Sequence, residues 1–343
     1  MTAIDRPDVA FDAEEHAYKL EGEDVLGVST IAKLGGADDA WGIASAWGFR
    51  IGYEGAWEVA QDGPLPPSKD ELREELKQRG LTPWAIRDKA AERGSWVHDV
   101  LEELGQNGTV PDLDAFAQKH GEEAAGHARS VLRWFLHFRP RFVALEVQVA
   151  SRKYRFAGRY DVRCLIDARR LLVCIDPVRT DPQAVRIRQI AAAADERKLH
   201  LDHEDALALC LLDLKTSKGV YPASHFPQLE GYEGASVEMG FPATDCRLVL
   251  NTWPTGEHEP ARDLCVSWAV YEDFLAYLEA MRAILRIKHA DPEAIRARMR
   301  DEALLANLPA TSRELSQLGL AELEGMDSRA IGRALGSLRK RGK

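Results

Sequence analysis

The sequence predicts an α/β fold, a mixed β-sheet flanked by helices, and three observations predict it. β-rich runs at residues 142–150, 156–166 and 171–175 follow one another across short turns, the spacing of adjacent strands. Helical patterns fill much of residues 30–140 ahead of them. After residue 206 the chain reads strand, helix, strand, strand, helix, as helices covering a sheet require.

In chain order, His16-Ala-Tyr-Lys-Leu-Glu-Gly reads as a short strand with a turn, and residues 25–32 as a second strand entering a helix. Residues 40–60 carry Trp41, Trp47 and Trp57 among alanines and read as helical and core-facing. A Pro/Gly-rich loop at 63–67 leads to a charged helix at 69–79. Residues 83–104 read as one long helix ended by Gly105 and Asn107-Gly108, and another helix covers 112–138. Residues 177–206 are polar, charged and partly helical, and interrupt the sheet. A strand returns at 206–216, a helix at 228–239, strands at 246–253 and 263–270, and a helix to about 289. This gives one domain over 1–290, with a helical part at 30–140, a sheet core at 141–290 and an insertion at 177–206. A smaller helical segment occupies 291–343.

Composition narrows the class. Hydrophobic residues make up 45% of the 343 and charged residues 29%, enough for a sizeable core and too apolar for general disorder. No apolar run approaches the ~20 residues that span a bilayer. The N-terminus is acidic and lacks the basic start and apolar stretch of an export signal, so the expected location is the cytoplasm, with no membrane partner. Five cysteines (Cys164, Cys174, Cys210, Cys246, Cys265) form no CxxC pair, and most sit in apolar runs. They read as small buried hydrophobes in a reducing compartment, which argues against zinc or iron–sulfur. The net charge of −10 does not exclude nucleic acid, since a bound metal can offset gathered carboxylates. A local basic surface suffices, and residues 282–300 and 329–343 offer one.

Four short patterns carry chemistry. In Ala208-Leu-Cys-Leu-Leu-Asp213-Leu-Lys215-Thr216 an apolar strand ends in a carboxylate and an ammonium two residues apart, hence on one face. An acid and a lysine so placed suit metal binding and activation of water; a surface salt pair is the alternative. Gly158-Arg-Tyr-Asp161 puts a second acid on another strand, and Gly94-Ser-Trp-Val-His98 leads to Glu102 on the same helical face as His98. Gln228 and Tyr232 form another i, i+4 pair. A hairpin turning near Lys153 and Tyr154 would set Glu146 almost opposite Asp161, as a supporting carboxylate or an exposed one.

The order G-S-x-x-H-x-x-x-E, G-x-x-D, apolar-D-x-K-T, Q-x-x-x-Y resembles the RecB-like branch of the PD-(D/E)XK nuclease superfamily, which includes phage exonucleases and CRISPR adaptation nucleases. The lead-in His16-x-Tyr…Gly27-Val-Ser-Thr-Ile is similar to phage-type members, and the resemblance covers residues 14–290. It implies a restriction-endonuclease-like sheet core and an Mg²⁺- or Mn²⁺-dependent nuclease. It also implies His98, Asp161, Asp213 and the Leu214 carbonyl as ligands, Lys215 as the water-activating residue, and Gln228 and Tyr232 as positioning groups. Its expected partners are DNA, a recombination protein and further copies of this chain in a homo-oligomer.

Two features depart from the pattern. A long stretch separates Asp161 from Asp213, and Ile175-Asp176-Pro-Val mimics the metal-binding strand without its lysine. Asp213 is preferred because Lys215, Gln228 and Tyr232 follow it, which makes 177–206 an insertion, a lid or a partner surface. At the C-terminus, residues 311–341 read as a winged helix-turn-helix with Arg329, Arg333 and Arg339 on the exposed side, or as a partner-binding hairpin. The expected function is a DNA exonuclease in phage or bacterial recombination or repair. The alternatives are a DNA-binding recombination or assembly factor with a vestigial nuclease core, and a CRISPR-adaptation-type nuclease, against which the missing cysteine cluster counts.

Overall fold

The computed structural model describes residues 7–12, 17–36 and 50–289 of the chain. The chain divides into two compact units, residues 1–279 and 280–343, and every described strand belongs to the first. Eight strands form one mixed sheet: β1 (Val9–Asp12), β2 (Ala17–Leu20), β3 (Glu23–Gly27), β4 (Arg141–Ser151), β5 (Phe156–Asp167), β6 (Leu207–Lys215), β7 (Cys246–Asn251) and β8 (Leu264–Val266). The order is β1-β2-β3-β5-β6-β7-β8, with β4 paired antiparallel to β5. β3–β5 and β6–β7 are parallel and the other pairs antiparallel.

Helices flank the sheet, as the patterning requires. They are α1 (Val28–Ala32), α2 (helical residues 50–61), α3 (Lys69–Gln78), α4 (Pro83–Asn107), α5 (Leu113–His120), α6 (Glu122–Phe138), α7 (Ala168–Leu171), α8 (Pro182–Glu196), α9 (Pro222–Glu238), α10 (Pro260–Asp263) and α11 (Tyr271–His289). Val97 and Leu101 of α4, Val131, Trp134 and Phe138 of α6, and Ala184 and Ile187 of α8 cover one face of β5, β6 and β7. Val28 of α1, Phe226, Leu229 and Tyr232 of α9, and Phe274 and Leu278 of α11 cover the other. β6 reads as a nearly unbroken apolar run because both its faces are buried. Each fully buried Leu, Val or Phe contributes about 2 kcal/mol, so these layers dominate stability. Among the described residues no helix is long and apolar enough to cross a membrane.

Several elements differ from the sequence expectation. The run at 171–175 is helical rather than extended, comprising the end of α7 and a 3₁₀ turn at Leu172–Cys174. Asp167 caps it by accepting from the Arg169 N–H at 3.0 Å, and short apolar runs fit either state. The helix expected over 112–138 breaks at Gly121, whose φ of 89° ends α5 and begins α6. α4 continues through Gly105 to Asn107, and α9 starts nearly two turns early, at Pro222, tolerating Pro227 in its interior. Trp57 is exposed rather than core-facing, while Trp41 and Trp47 lie outside the described residues. The 177–206 insertion is a core layer: Ala184, Ile187 and Ala191 of α8 pack on the sheet. The second strand of the C-terminal pair is shorter than expected, Leu264–Val266.

α6 also buries an imidazole. His127 Nδ1 lies 2.8 Å from Thr252 Oγ1 at the end of β7. Burial first and the charge of Arg93 second hold its pKa down to about 4 from the ordinary 6.5, against a hydrogen bond to the Thr252 backbone. Between those values the unfolded chain binds a proton that the folded chain lacks, so stability is full above the unfolded pKa and falls as pH drops toward the folded one. Urea unfolding should show about 2 kcal/mol less stability at pH 5 than at pH 7 from this group. His127→Asn should lose that share of the difference; an unchanged pH dependence in the variant refutes the assignment.

Candidate metal centre

The sheet opens at β5. Opposite β4, its other edge pairs with β3 at Phe156 and Ala157 and with β6 from Val162 onward, which leaves residues 158–161 between them without a partner strand. Gly158-Arg-Tyr-Asp161 fills this interval. A Cβ at Gly158 would stand 2.6 Å from the Tyr232 ring and 2.9 Å from Val28 Cγ2, so only glycine lets α9 and α1 close on the strand. The buried Asp161 carboxylate accepts the backbone N–H of Leu214 at 2.6 Å. It thereby takes up the hydrogen bond that the β5–β6 ladder leaves off.

Across the hairpin, Glu146 lies between the pairs Leu145–Val162 and Val147–Tyr160, in register opposite Asp161. Its φ is 50°, left-handed for a residue with a Cβ. Leu145 and Val162 pack toward α4 and α6, whereas Val147 and Tyr160 pack toward α9. Residues two apart in a strand normally share a face, so the pleat inverts across this pair. Such a conformation costs about 1–2 kcal/mol and survives because the flanking pairs fix it.

α4 supplies the third group. His98 Nδ1 lies 3.6 Å from Asp161 Oδ2 and 3.7 Å from Glu146 Oε1. One ligand atom from each of His98, Glu146 and Asp161 falls within 4.8 Å of the others, so the three can hold a metal ion. Arg159 Nε contacts Glu146 Oε2 at 2.9 Å. Burial alone would depress the His98 pKa; the Asp161 charge and the Glu146 hydrogen bond outweigh it and push it up to about 9. A site that favours a cation this strongly on its imidazole is built to attract positive charge.

β6 and α9 form the second half. Leu212 and Leu214 face α4 and α6, which turns Asp213 and Lys215 toward α9. Gln228 Nε2 donates to Asp213 Oδ1 at 3.2 Å and to the Tyr232 hydroxyl at 2.9 Å. Lys215 Nζ stands 2.5 Å from Asp213 Oδ2, an ion contact in which Oδ2 accepts no well-directed hydrogen bond. Burial raises the Asp213 pKa, with Lys215 opposing and Asp161 adding to the rise.

Of the residues singled out in the sequence, His98 and Asp161 therefore come together, and Glu146 joins them as a full member of the cluster. Asp213 lies outside that triad, held by Lys215 and Gln228, and Leu214 enters through its N–H. Glu102 lines the same cleft and accepts from Gln106 Nε2 at 2.6 Å. Asp176 is exposed in a turn, its Oδ1 accepting the Val178 N–H at 3.0 Å. His16, Arg329, Arg333 and Arg339 lie outside the described residues. The cleft, about 460 Å³, also takes in Phe11, which no motif included, Tyr18, quoted only within the His16-x-Tyr lead-in, and Arg159, to which no role was given. Arg159 sits inside Gly158-Arg-Tyr-Asp161, so its place beside the second acid was its one signal. No protein-family model matches this chain, and no curated protein does.

An imidazole and two carboxylates are a hard, mainly oxygen donor set, which suits Mg²⁺ or Mn²⁺. Because a ligand of the folded state stabilises it by mass action, Mn²⁺ should raise the thermal midpoint, by about 2.7 kcal/mol of stability at 100 times Kd. The double variant Glu146→Gln/Asp161→Asn should keep the fold and lose the response. A wild-type midpoint indifferent to millimolar Mn²⁺ and Mg²⁺ rules the cluster out as a metal site.

Proposed function

We propose that the protein is a divalent-metal-dependent deoxyribonuclease, an exonuclease of phage or bacterial recombination or repair that works in the cytoplasm. The observation that carries this reading is the double role of Asp161. Its Oδ2 lies 3.6 Å from His98 Nδ1, within the cluster that includes Glu146, and also accepts the Leu214 N–H of the strand bearing Asp213 and Lys215. Acids, imidazole and lysine thus converge at one break in a sheet, beside an open cleft.

When bound, a divalent cation would polarise the scissile phosphate and lower the pKa of an attacking water. His98, Glu146 and Asp161 would hold it. Burial pulls the Lys215 pKa down, but the Asp213 and Asp161 charges raise it on balance, so the side chain is an ammonium. In that form Lys215 orients the water and meets charge developing on the phosphate, rather than abstracting a proton. Gln228 steadies the Asp213 carboxylate, and Tyr232 in turn fixes Gln228.

One observation favours a second reading, a DNA-binding factor whose nuclease core is idle. The Lys215 ammonium closes on Asp213 rather than on the cleft, and Tyr232, not Lys215, lines the cleft from this half. Labelled linear and circular DNAs, single- and double-stranded, incubated with Mg²⁺ or Mn²⁺ separate the two. Linear substrates should be degraded and circles spared, and Lys215→Ala should slow cleavage by about 100-fold or more while the Mn²⁺ thermal response persists. DNA left intact in every form and with both metals replaces the nuclease with the binding factor.

A further inference from the structure

We propose that the cleft wall formed by the β1–β2 hairpin is a nucleotide subsite, in which Phe11 and Tyr18 stack a base and Arg159 takes a phosphate of the same strand. The inference rests on the cleft being a nucleic-acid site, and it names how that site holds its strand.

Phe11 and Tyr18 are cross-strand partners in the hairpin, so their side chains project on one face. Their rings lie 4.7 Å apart at 39°, and the Arg159 guanidinium sits over the Phe11 ring at 5.6 Å. All three line the cleft that holds His98, Glu146 and Asp161. Tyr18 packs at its base against the cluster formed by Leu20, Ala150 and Ala157, whereas Phe11 lies outside the three buried clusters. Neither ring is fully buried. The two rings pack on each other at the wall of an open polar cleft and keep part of their surface accessible there, a platform on which a base can stack.

Arg159 links the rings to the metal cluster. Its Nε contacts Glu146 Oε2, and a guanidinium carries five donors, more than one carboxylate uses. A planar fork next to acids that gather a cation suits a phosphodiester, whose oxygens it can bind two at a time. Stacking is indifferent to base identity, so the subsite selects for an unpaired base rather than for a sequence.

The test uses fluorescence anisotropy on the full chain with a labelled twelve-residue oligothymidylate and an abasic strand of equal length and charge. Measurements are made in EDTA and again with Ca²⁺. The wild type should prefer the thymidylate. Phe11→Leu and Tyr18→Leu keep apolar volume but remove the π-face, and each should reduce thymidylate affinity about tenfold and leave abasic affinity unchanged. Tyr18→Phe should keep the preference. Arg159→Gln should weaken both probes alike and lower the salt slope by about 1. A wild type without base preference in either buffer, or Leu variants that bind like the wild type or lose both probes equally, overturns the subsite. A base preference that these variants abolish, in a protein that cuts no DNA, keeps the subsite and removes the nuclease. Cleavage without base preference does the reverse.

Discussion

One hydrogen bond organises the site: the Asp161 carboxylate receiving the Leu214 N–H where β5 and β6 part. A sheet cannot splay without leaving backbone groups unsatisfied, and a buried N–H without a partner costs about 1–3 kcal/mol. The carboxylate removes that penalty and in doing so is fixed in place, the same Oδ2 that accepts the N–H standing 3.6 Å from the His98 imidazole. Gly158, three residues earlier, belongs to the same constraint, because the Tyr232 ring occupies the volume its side chain would need. The inverted pleat at Glu146 completes the arrangement by turning a second carboxylate to the same point.

Holding Glu146, Asp161 and Asp213 so close requires cations, and the fold supplies one beside each. Arg159 contacts Glu146, His98 faces Asp161, and Lys215 contacts Asp213. Behind them, two ion pairs to buried glutamates pin α9 to the sheet: Arg163 to Glu233 at 2.9 Å, and the half-buried Arg247 to Glu230 at 2.8 Å. Removing one partner of such a pair would strand a buried charge, so α9 has little freedom to slide. Gln228 and Tyr232 inherit that rigidity, which is why a helix rather than a loop presents them to Asp213.

The sequence made the halves of this site legible, but not their joining. Period-two spacing put Asp213 and Lys215 on one face, and period-four spacing paired Gln228 with Tyr232, since each signal is local. The promotion of Glu146 was not local. It depends on the register of a hairpin and on a backbone inversion that no residue type announces, because glutamate seldom adopts that φ. Phe11 carried no signal, and Tyr18 and Arg159 stood inside quoted motifs without a role, for a related reason: their significance comes from a cleft assembled by α4, β5 and the N-terminal strands together. The helix at 171–175 and the break at Gly121 were misread where short apolar runs and a single glycine leave the outcome to tertiary packing. The chemistry of Asp176 was separable even so, because a following proline cannot sit in a central strand.

The net charge of −10 then acquires a consequence. Many of the described arginines are committed internally: Arg163, Arg169, Arg170, Arg179, Arg186, Arg197 and Arg247 all sit within 3 Å of a carboxylate. Cations so engaged offer little to a passing phosphate backbone, and the surrounding acids repel it at long range. Those described arginines, on the reading proposed above, would add little to the broad counterion release that a basic groove gives. If the cleft holds a strand as proposed, short-range terms there, a metal between carboxylates and rings that stack a base, would carry the part of the affinity that these arginines do not. Affinity built that way would resist salt better than affinity built on surface charge, and it would discriminate an unpaired strand from a closed duplex, whose bases are already stacked on one another.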